Sequence, residues 1–413
     1  MRAGTFVRII AMASIVALAV SGCARGGPRG SAGSTSPGIT DKTITLGITT
    51  PLSGPTAGPG TCTVAGIKAY FGAVNEAGGV KFGDGKTRTV EIKSYDDAYD
   101  PQKALANFQQ MGSDGVFAVT SGLGTPTNRA YREAAVDEEF PQVLVMTGDP
   151  LFSNRKKSPW QLGFVPIYQN EGAAFGDLLA ASDDDHKVAI LSQNDDYGKG
   201  YVEGFKKAIA SADNIEVVKE LTYEATDTSV DAQLTELAAT DADVFFNAMS
   251  ITPLVISSLE KTRQTGWKPS WFLPSNTSSP SAILEPGGAK AFPGVYSVSF
   301  AKAPQSPAFA KDDDVVTFLS DLEEYADYPD TPAFPHCMWS YMVGATLEQA
   351  FEKTTDPTRA SFMEALRGIS DFQAPLMLDG TAVDTTKDGQ PAVSSVIVQK
   401  YDGKGYATAK TFG

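Results

Sequence analysis

Histidine and cysteine are scarce in this 413-residue chain, which has two histidines, His186 and His336, and three cysteines. No cluster among them has the ligand spacing of a zinc site. The usual catalytic signatures are missing too. There is no Gly-x-Ser-x-Gly elbow to present a hydrolase nucleophile. Gly122-Leu123-Gly124 lacks the later glycine of a dinucleotide fingerprint and starts no Walker loop. The aspartate runs at 183–185 and 312–314 do not follow calcium-loop spacing, which puts a glycine at the sixth position. No metal, cofactor or catalytic constellation is therefore expected, and an enzyme is the least supported reading. Excess positive charge is also absent. The formal net charge is −15, and the acidic residues are spread along the chain, which argues against nucleic acid and for a solvated surface. No short repeat period points to a solenoid.

What is present begins at the amino terminus. Arg2 and Arg8 precede an apolar segment at 9–20, of signal-peptide length and too short to span a bilayer as a mature helix. It ends in Val20-Ser21-Gly22-Cys23, which resembles a bacterial lipobox, where the cysteine is acylated and becomes the first mature residue. An ordinary secretory signal followed by an incidental cysteine is the alternative. The expectation is a lipoprotein signal peptide over 1–22, lipidation at Cys23 and a flexible tether over 23–40, since 24–38 is almost entirely small, polar or proline. The folded body then starts near Asp41, outside the cytoplasmic membrane and held to its outer face by lipid. With Cys23 acylated, Cys62 and Cys337 remain as an even pair in an oxidising compartment. A disulfide between them is the expectation, and two separate buried thiols are the alternative.

A hydrophobic content of 42% and a charged content of 20% suit a soluble folded protein, and the length suits two domains. The body alternates strand and helix signals. Strands are expected at 43–49, 89–95, 116–120 and 143–146, with helical faces between them, one capped by Asp100 with Pro101 in its first position. This β-α-β-α-β-α-β order implies a parallel sheet covered on both faces. The alternation restarts with a helix around 173–181 and strands at 188–191, 215–221, 244–248 and 271–273. Two successive series imply two similar lobes. Three further helices follow a strand at 294–300, and Asp402-Gly403 between strands at 393–399 and 406–409 marks a hairpin.

In open parallel sheets ligands bind where loops leave the carboxyl ends of strands. The loops at those positions are rich in Ser, Thr, Asn and Gly, a lining that encloses a small ligand without reacting with it. One such stretch reads as a strand at 188–191, a polar loop at 193–200 and a helix from Tyr201 onward. It places Asp196 and Tyr197 in the crevice, with a solvated connection as the bland alternative. Ser53, Ser121, Gly122 and Gly124 lie in comparable loops, with Thr125 able to cap the helix that follows. His186, beside three aspartates, reads as a surface residue.

Several segments resemble the type I periplasmic binding proteins, in the branched-chain amino acid (Leu/Ile/Val-binding) group of ABC-transporter substrate-binding lipoproteins. They are Pro51-Leu52-Ser53-Gly54-Pro55, Asn75-Glu76-Ala77-Gly78-Gly79-Val80, Asp96-Asp97 followed by Asp100-Pro101, and Asp195-Asp196-Tyr197-Gly198. The resemblance spans about 43–406. It implies an α/β fold of two Rossmann-like parallel-sheet lobes joined by a three-crossing hinge that closes on ligand. Lobe one would comprise 41–164 and 294–368, and lobe two 165–293 and 369–413. It also implies that loops at 121–125 and at 148–151, including Gly148 and Asp149, hold a ligand carboxylate, with Tyr197 facing them from the other lobe. Two departures concern the ligand. Met249 stands where relatives often have a tyrosine, and Asn276 where they place an acid for an α-ammonium, which an asparagine cannot neutralise. Asp149 or Asp196 would have to substitute. The implied function is a monomeric, lipid-anchored solute receptor that delivers a small polar or carboxylated molecule to an ABC permease, with a ligand sensor signalling to a membrane partner as the alternative.

Overall fold

The structure, a computed structural model, describes residues 35–328 and 332–412. The signal peptide, Cys23 and most of the expected tether lie outside the described residues. The end of that tether does not behave as one. Ser36 donates its amide to the Pro357 carbonyl at 2.9 Å, and Ile39 is buried, so the packed body begins several residues before Asp41.

Two sheets organise the chain. The first is built from β1 (Thr43–Thr50), β2 (Val80–Lys81), β3 (Thr87–Asp96), β4 (Ala118–Thr120), β5 (Gln142–Val145) and β6 (Gln161–Gly163), in the spatial order β2-β3-β1-β4-β5-β6. Between them run α1 (Ala57–Glu76), α2 (Pro101–Ser113), α3 (Thr125–Ala130) and α4 (Arg132–Asp137). All neighbours in this sheet are parallel except β2 and β3. The very short β2 and β6 carry too few residues for a periodic signal, and sequence reasoning did not foresee them. Asp100 caps α2 as expected, accepting from the amides of Gln102 and Lys103.

The second sheet follows α5 (Tyr168–Ala180). It contains β7 (His186–Gln193), β8 (Ile215–Tyr223), β9 (Val244–Ala248), β10 (Ser270–Phe272) and β11 (Val295–Ser299), interleaved with α6 (Asp196–Ala208), α7 (Asp231–Ala238) and α8 (Thr252–Thr265). After α9 (Asp313–Ala326), α10 (His336–Lys353) and α11 (Arg359–Leu366), the chain adds β12 (Ile397–Tyr401) and β13 (Tyr406–Thr408) as an antiparallel hairpin. The order is β13-β12-β11-β10-β9-β7-β8.

The lobe boundaries differ from the expected ones at two crossings. The first passes through 164–167, from Phe164 and Val165 in the core of lobe one to Tyr168 in that of lobe two. Strand β11 pairs with β10 and β12 in the second sheet, so the second crossing comes after Ser299, where Phe300 and Ala301 join the core of lobe one. Residues 369–393 also pack on lobe one, through Ile369, Leu376, Met377, Val383 and Val393. The third crossing therefore lies near 393–396. It runs beside the first, with the amides of Ala392 and Val393 donating to the carbonyls of Gly163 and Phe164 at 2.9 Å each. The physical reason is that this region is an irregular apolar segment, whose side chains choose a core without a strand pattern to announce it.

Helices α9 to α11 complete lobe one, with α10 packed along α1. Gly66 lets the two axes close, since a Cβ there would lie 2.0 Å from the Cys337 carbonyl oxygen. The disulfide Cys62–Cys337 joins the same pair of helices, with Cα atoms 4.4 Å apart. His186 is not a surface residue. It is buried, with Nδ1 2.6 Å from Asp243 and Nε2 3.1 Å from Ser182 Oγ.

Candidate functional site

The stretch after β7 sets the floor of the cleft. Its helix starts five residues earlier than its apolar spacing suggests, because Asp195 accepts hydrogen bonds from the amides of Tyr197 and Gly198 at 3.0 and 3.2 Å. Such a cap satisfies amides that a helix start leaves free. Gly198 then abuts the strand end, where any Cβ would meet the Gln193 carbonyl oxygen at 2.1 Å. The polar residues of 193–200 are thus partly the outer face of a first turn, and Tyr197 points inward, 3% exposed. Its hydroxyl lies 3.2 Å from the Met249 carbonyl and 3.0 Å from Asn276 Oδ1.

Helix α5 packs against α6 through glycines, Gly172 under Tyr201 and Gly204 under Gln169. This close approach brings Tyr168, Tyr197 and Tyr201 into mutual ring contact, with centroids 4.8–5.0 Å apart. Tyr168 also reaches the other lobe, its hydroxyl 2.9 Å from Thr125 Oγ1 and 3.1 Å from Thr147 Oγ1. Thr125 is thereby engaged in a buried hydroxyl cluster and does not cap α3, whose N-cap is Gly124 without a side-chain bond. Tyr99 enters from lobe one and packs against the cores of both lobes. Arg129 pairs with Asp149 on its own lobe and with Asp196 on the other.

Between these groups lies a cavity of about 580 Å³, mouth included, walled by both lobes. Of the residues singled out from sequence, Gly124, Thr125, Tyr197 and Asn276 line it. The others do not. Ser53 is exposed and bonds to Asp96 Oδ2 at 2.6 Å. Ser121 is turned to Ser340, at 3.2 Å, and Gly122 accepts from Asn128. Gly148 accepts the Tyr168 amide at 3.1 Å, and a side chain there would strike Pro166. Met249 contributes its carbonyl to Tyr197 and sits wholly in the lobe-two core. Asp149 and Asp196 both pair with Arg129 and do not line the cavity.

The acid that does line the cavity is Glu171, which sequence reasoning missed. It is 1% exposed and accepts from the Ser275 amide at 3.1 Å, Ser275 Oγ at 2.9 Å and the Tyr201 hydroxyl at 3.0 Å. Burial pushes its carboxyl up to about 7, while these donors oppose the rise. Opposite, at the start of α10, His336 lines the cavity with its ring 4.8 Å from that of Trp339. Its Nδ1 has no hydrogen-bond partner, and burial holds the imidazole neutral, down to about 3. A usable signal for Glu171 existed. Tyr168, Glu171, Phe175 and Leu179 recur at helical spacing, but the helix was expected only from 173. Among the described residues no lysine or arginine lines the cavity. The surround is aromatic and hydroxyl-rich, suited to enclosing a small molecule by stacking and hydrogen bonding.

The family model for periplasmic binding proteins matches residues 43–406. Leu/Ile/Val-binding protein homolog 3 of Brucella melitensis is 29% identical over 210 residues, 49% of this chain and 53% of that protein. The match thus spans about half the length of that curated relative. A substrate-binding periplasmic protein from Ralstonia solanacearum superposes with a TM-score of 0.77 at 20% identity, over 89% of this chain and 100% of the other. A fatty acid ABC transporter substrate-binding protein from Thermomonospora curvata gives 0.76 at 23% identity, over 91% and 95%.

Proposed function

The chain belongs to the type I periplasmic binding proteins, in their branched-chain amino acid group, and from that premise we propose that it captures a small polar or carboxylated ligand between its lobes and delivers it to an ABC importer. The observation that carries this reading is a cavity walled by both lobes, with Thr125 and Tyr99 from one side and Tyr197, Glu171 and Asn276 from the other. A ligand that touches both walls favours the closed arrangement by its differential affinity, and a permease can read that state. The relative and the neighbour named above bear ligand names as different as branched-chain amino acids and fatty acids, so the fold leaves the ligand open and the lining must decide it. Its mix of tyrosines, serines and Asn276 suits amino acids, amides and related organic acids.

The test is a screen of these three classes by thermal shift, followed by calorimetry. At least one compound should raise the melting temperature and bind with a single-site isotherm. A folded protein that ignores a broad library of such solutes would refute the reading. Anchoring through Cys23 is a separate part of the proposal, resting on Val20-Ser21-Gly22-Cys23. Metabolic labelling with a fatty acid should mark the wild-type chain and leave Cys23→Ala unlabelled.

A further inference from the structure

A second cavity, of about 470 Å³, adjoins the first, and both are lined by Ser275 and Trp339. Two local structures divide their side chains between the chambers. At the start of α10, His336 lines the first chamber, the capping Pro335 and Met338 line the second, and Trp339 lines both. In the turn at Ser275–Thr277 and just after it, Asn276 faces the first chamber, Ser278 and Ser279 the second, and Ser275 both. The Trp339 indole is stacked on Phe300 at 5.4 Å and is the larger of the two groups at the junction.

The chambers differ in chemistry. The first holds Glu171, Asn276, the unpartnered Nδ1 of His336 and a set of phenols. The second has no ionisable acid or base among its described lining, and most of its polar groups are already used. Ser278 Oγ donates to the Ser275 carbonyl at 3.1 Å, Ser279 Oγ to the Ala333 carbonyl, and the Tyr406 hydroxyl to the Ser278 carbonyl at 2.9 Å. Ser299 Oγ bonds to the Ala301 carbonyl at 3.0 Å. The rest of the wall is mainly Val298, Ala301, Ala303, Met338 and the Trp339 ring, with two amides, Gln305, which donates to the Pro332 carbonyl, and Gln399. Such a wall offers an incoming group mostly apolar contact and no charge.

We infer that the ligand is an elongated amphiphile, with its polar end among Glu171, Asn276 and Tyr197 in the first chamber and an uncharged alkyl or aryl segment passing Trp339 into the second. This deepens the solute-binding reading and rests on it. A ligand confined to the first chamber would leave the mostly apolar chamber beside it unused.

The experiment is calorimetric titration of the full chain with two homologous series, linear alkanoates from acetate to decanoate and the matching primary amides. The amide series separates chain length from head-group charge. Affinity should rise about fourfold per methylene once the chain is long enough to pass Trp339. Ala301→Phe, which fills the second chamber, should abolish that rise while leaving short members unchanged. Ala303→Phe, at a half-buried position on the same wall, serves if Ala301→Phe does not fold. Binding of short members with no gain from length overturns the inference and leaves the solute-binding reading standing. A gain that survives both filled variants overturns it equally. Failure of every member of both series also overturns it, and the broad screen then decides separately whether the wider reading falls too.

Discussion

Replacing Glu171 with glutamine tests the electrostatics on which the cavity is built. The carboxyl is buried, and its value rises from 4.5 to about 7. Below pH 4.5 it is protonated in both the folded and the unfolded chain. Between there and about 7 the unfolded chain releases the proton and the folded one keeps it, so stability falls as pH rises; above that range both are ionised and the penalty is constant. At about 1.4 kcal/mol per pH unit, that interval amounts to about 3 kcal/mol. Glutamine keeps the shape and cannot ionise. Facing Ser275 and Tyr201, its amide nitrogen adds a fixed cost, but that cost does not vary with pH. The stability of Glu171→Gln relative to wild type should therefore climb by about 3 kcal/mol between pH 4.5 and about 8. Urea unfolding of ligand-free protein, followed by circular dichroism, measures it, and comparing the two chains at each pH cancels the titrations they share. A difference that stays flat to within about 0.5 kcal/mol across this range would refute the claim that Glu171 ionises at the expense of folding.

Three further outcomes are expected. The disulfide closes a sequence separation of 275 residues, so reductant should lower the stability of the wild-type chain, by up to about 6 kcal/mol on the chain-entropy account; the double variant Cys62→Ser, Cys337→Ser should show no response to reductant in the same urea titration. Tyr197→Phe removes the hydroxyl bonded to Met249 and Asn276. It should cost about 1–3 kcal/mol by removing the one donor these two acceptors share, read as a lower urea midpoint, and weaken the binding of any ligand found in the screen. Gly172→Ala places a Cβ 2.2 Å from the Tyr201 carbonyl oxygen. The forced separation of α5 and α6 should cost about 1–3 kcal/mol and, by displacing Tyr168 and Tyr201, reduce ligand affinity more than a surface control such as Gly112→Ala, whose Cβ meets nothing within 4 Å.

The alternation of strand and helix was legible because each element repeats a simple period over enough residues to be seen, as β1, β3, α2 and β7 do. Elements of two or three residues, β2 and β6, fall below that length. The lobe boundaries were misplaced for a different reason. Residue pattern says that 295–299 form a strand and that 369–393 do not, but it does not say which of two cores an apolar side chain joins. That choice is made by pairing across the sheet and by contact with α9 to α11, both remote in sequence.

The site divides along the same line. Tyr197 and Asn276 were found because strand-end loops are where ligands sit, and a chemically suitable side chain in such a loop often reaches the cleft. Asp149 and Asp196 satisfy the same rule and yet do not line the cavity, since Arg129 lies within reach of both and each pairs with it. Glu171 reaches the cavity from the first turns of a helix, three residues after Tyr168, and is kept there by Ser275, which lies 104 residues away in sequence. The helical spacing of Tyr168, Glu171, Phe175 and Leu179 puts it on the buried face of α5, but no local pattern says that this face borders a cavity. What marks it is the cost of its burial, a property of the assembled lobe, and a buried carboxyl that retains three donors and still titrates near neutrality is therefore the group whose removal most directly tests what this cleft is built to hold.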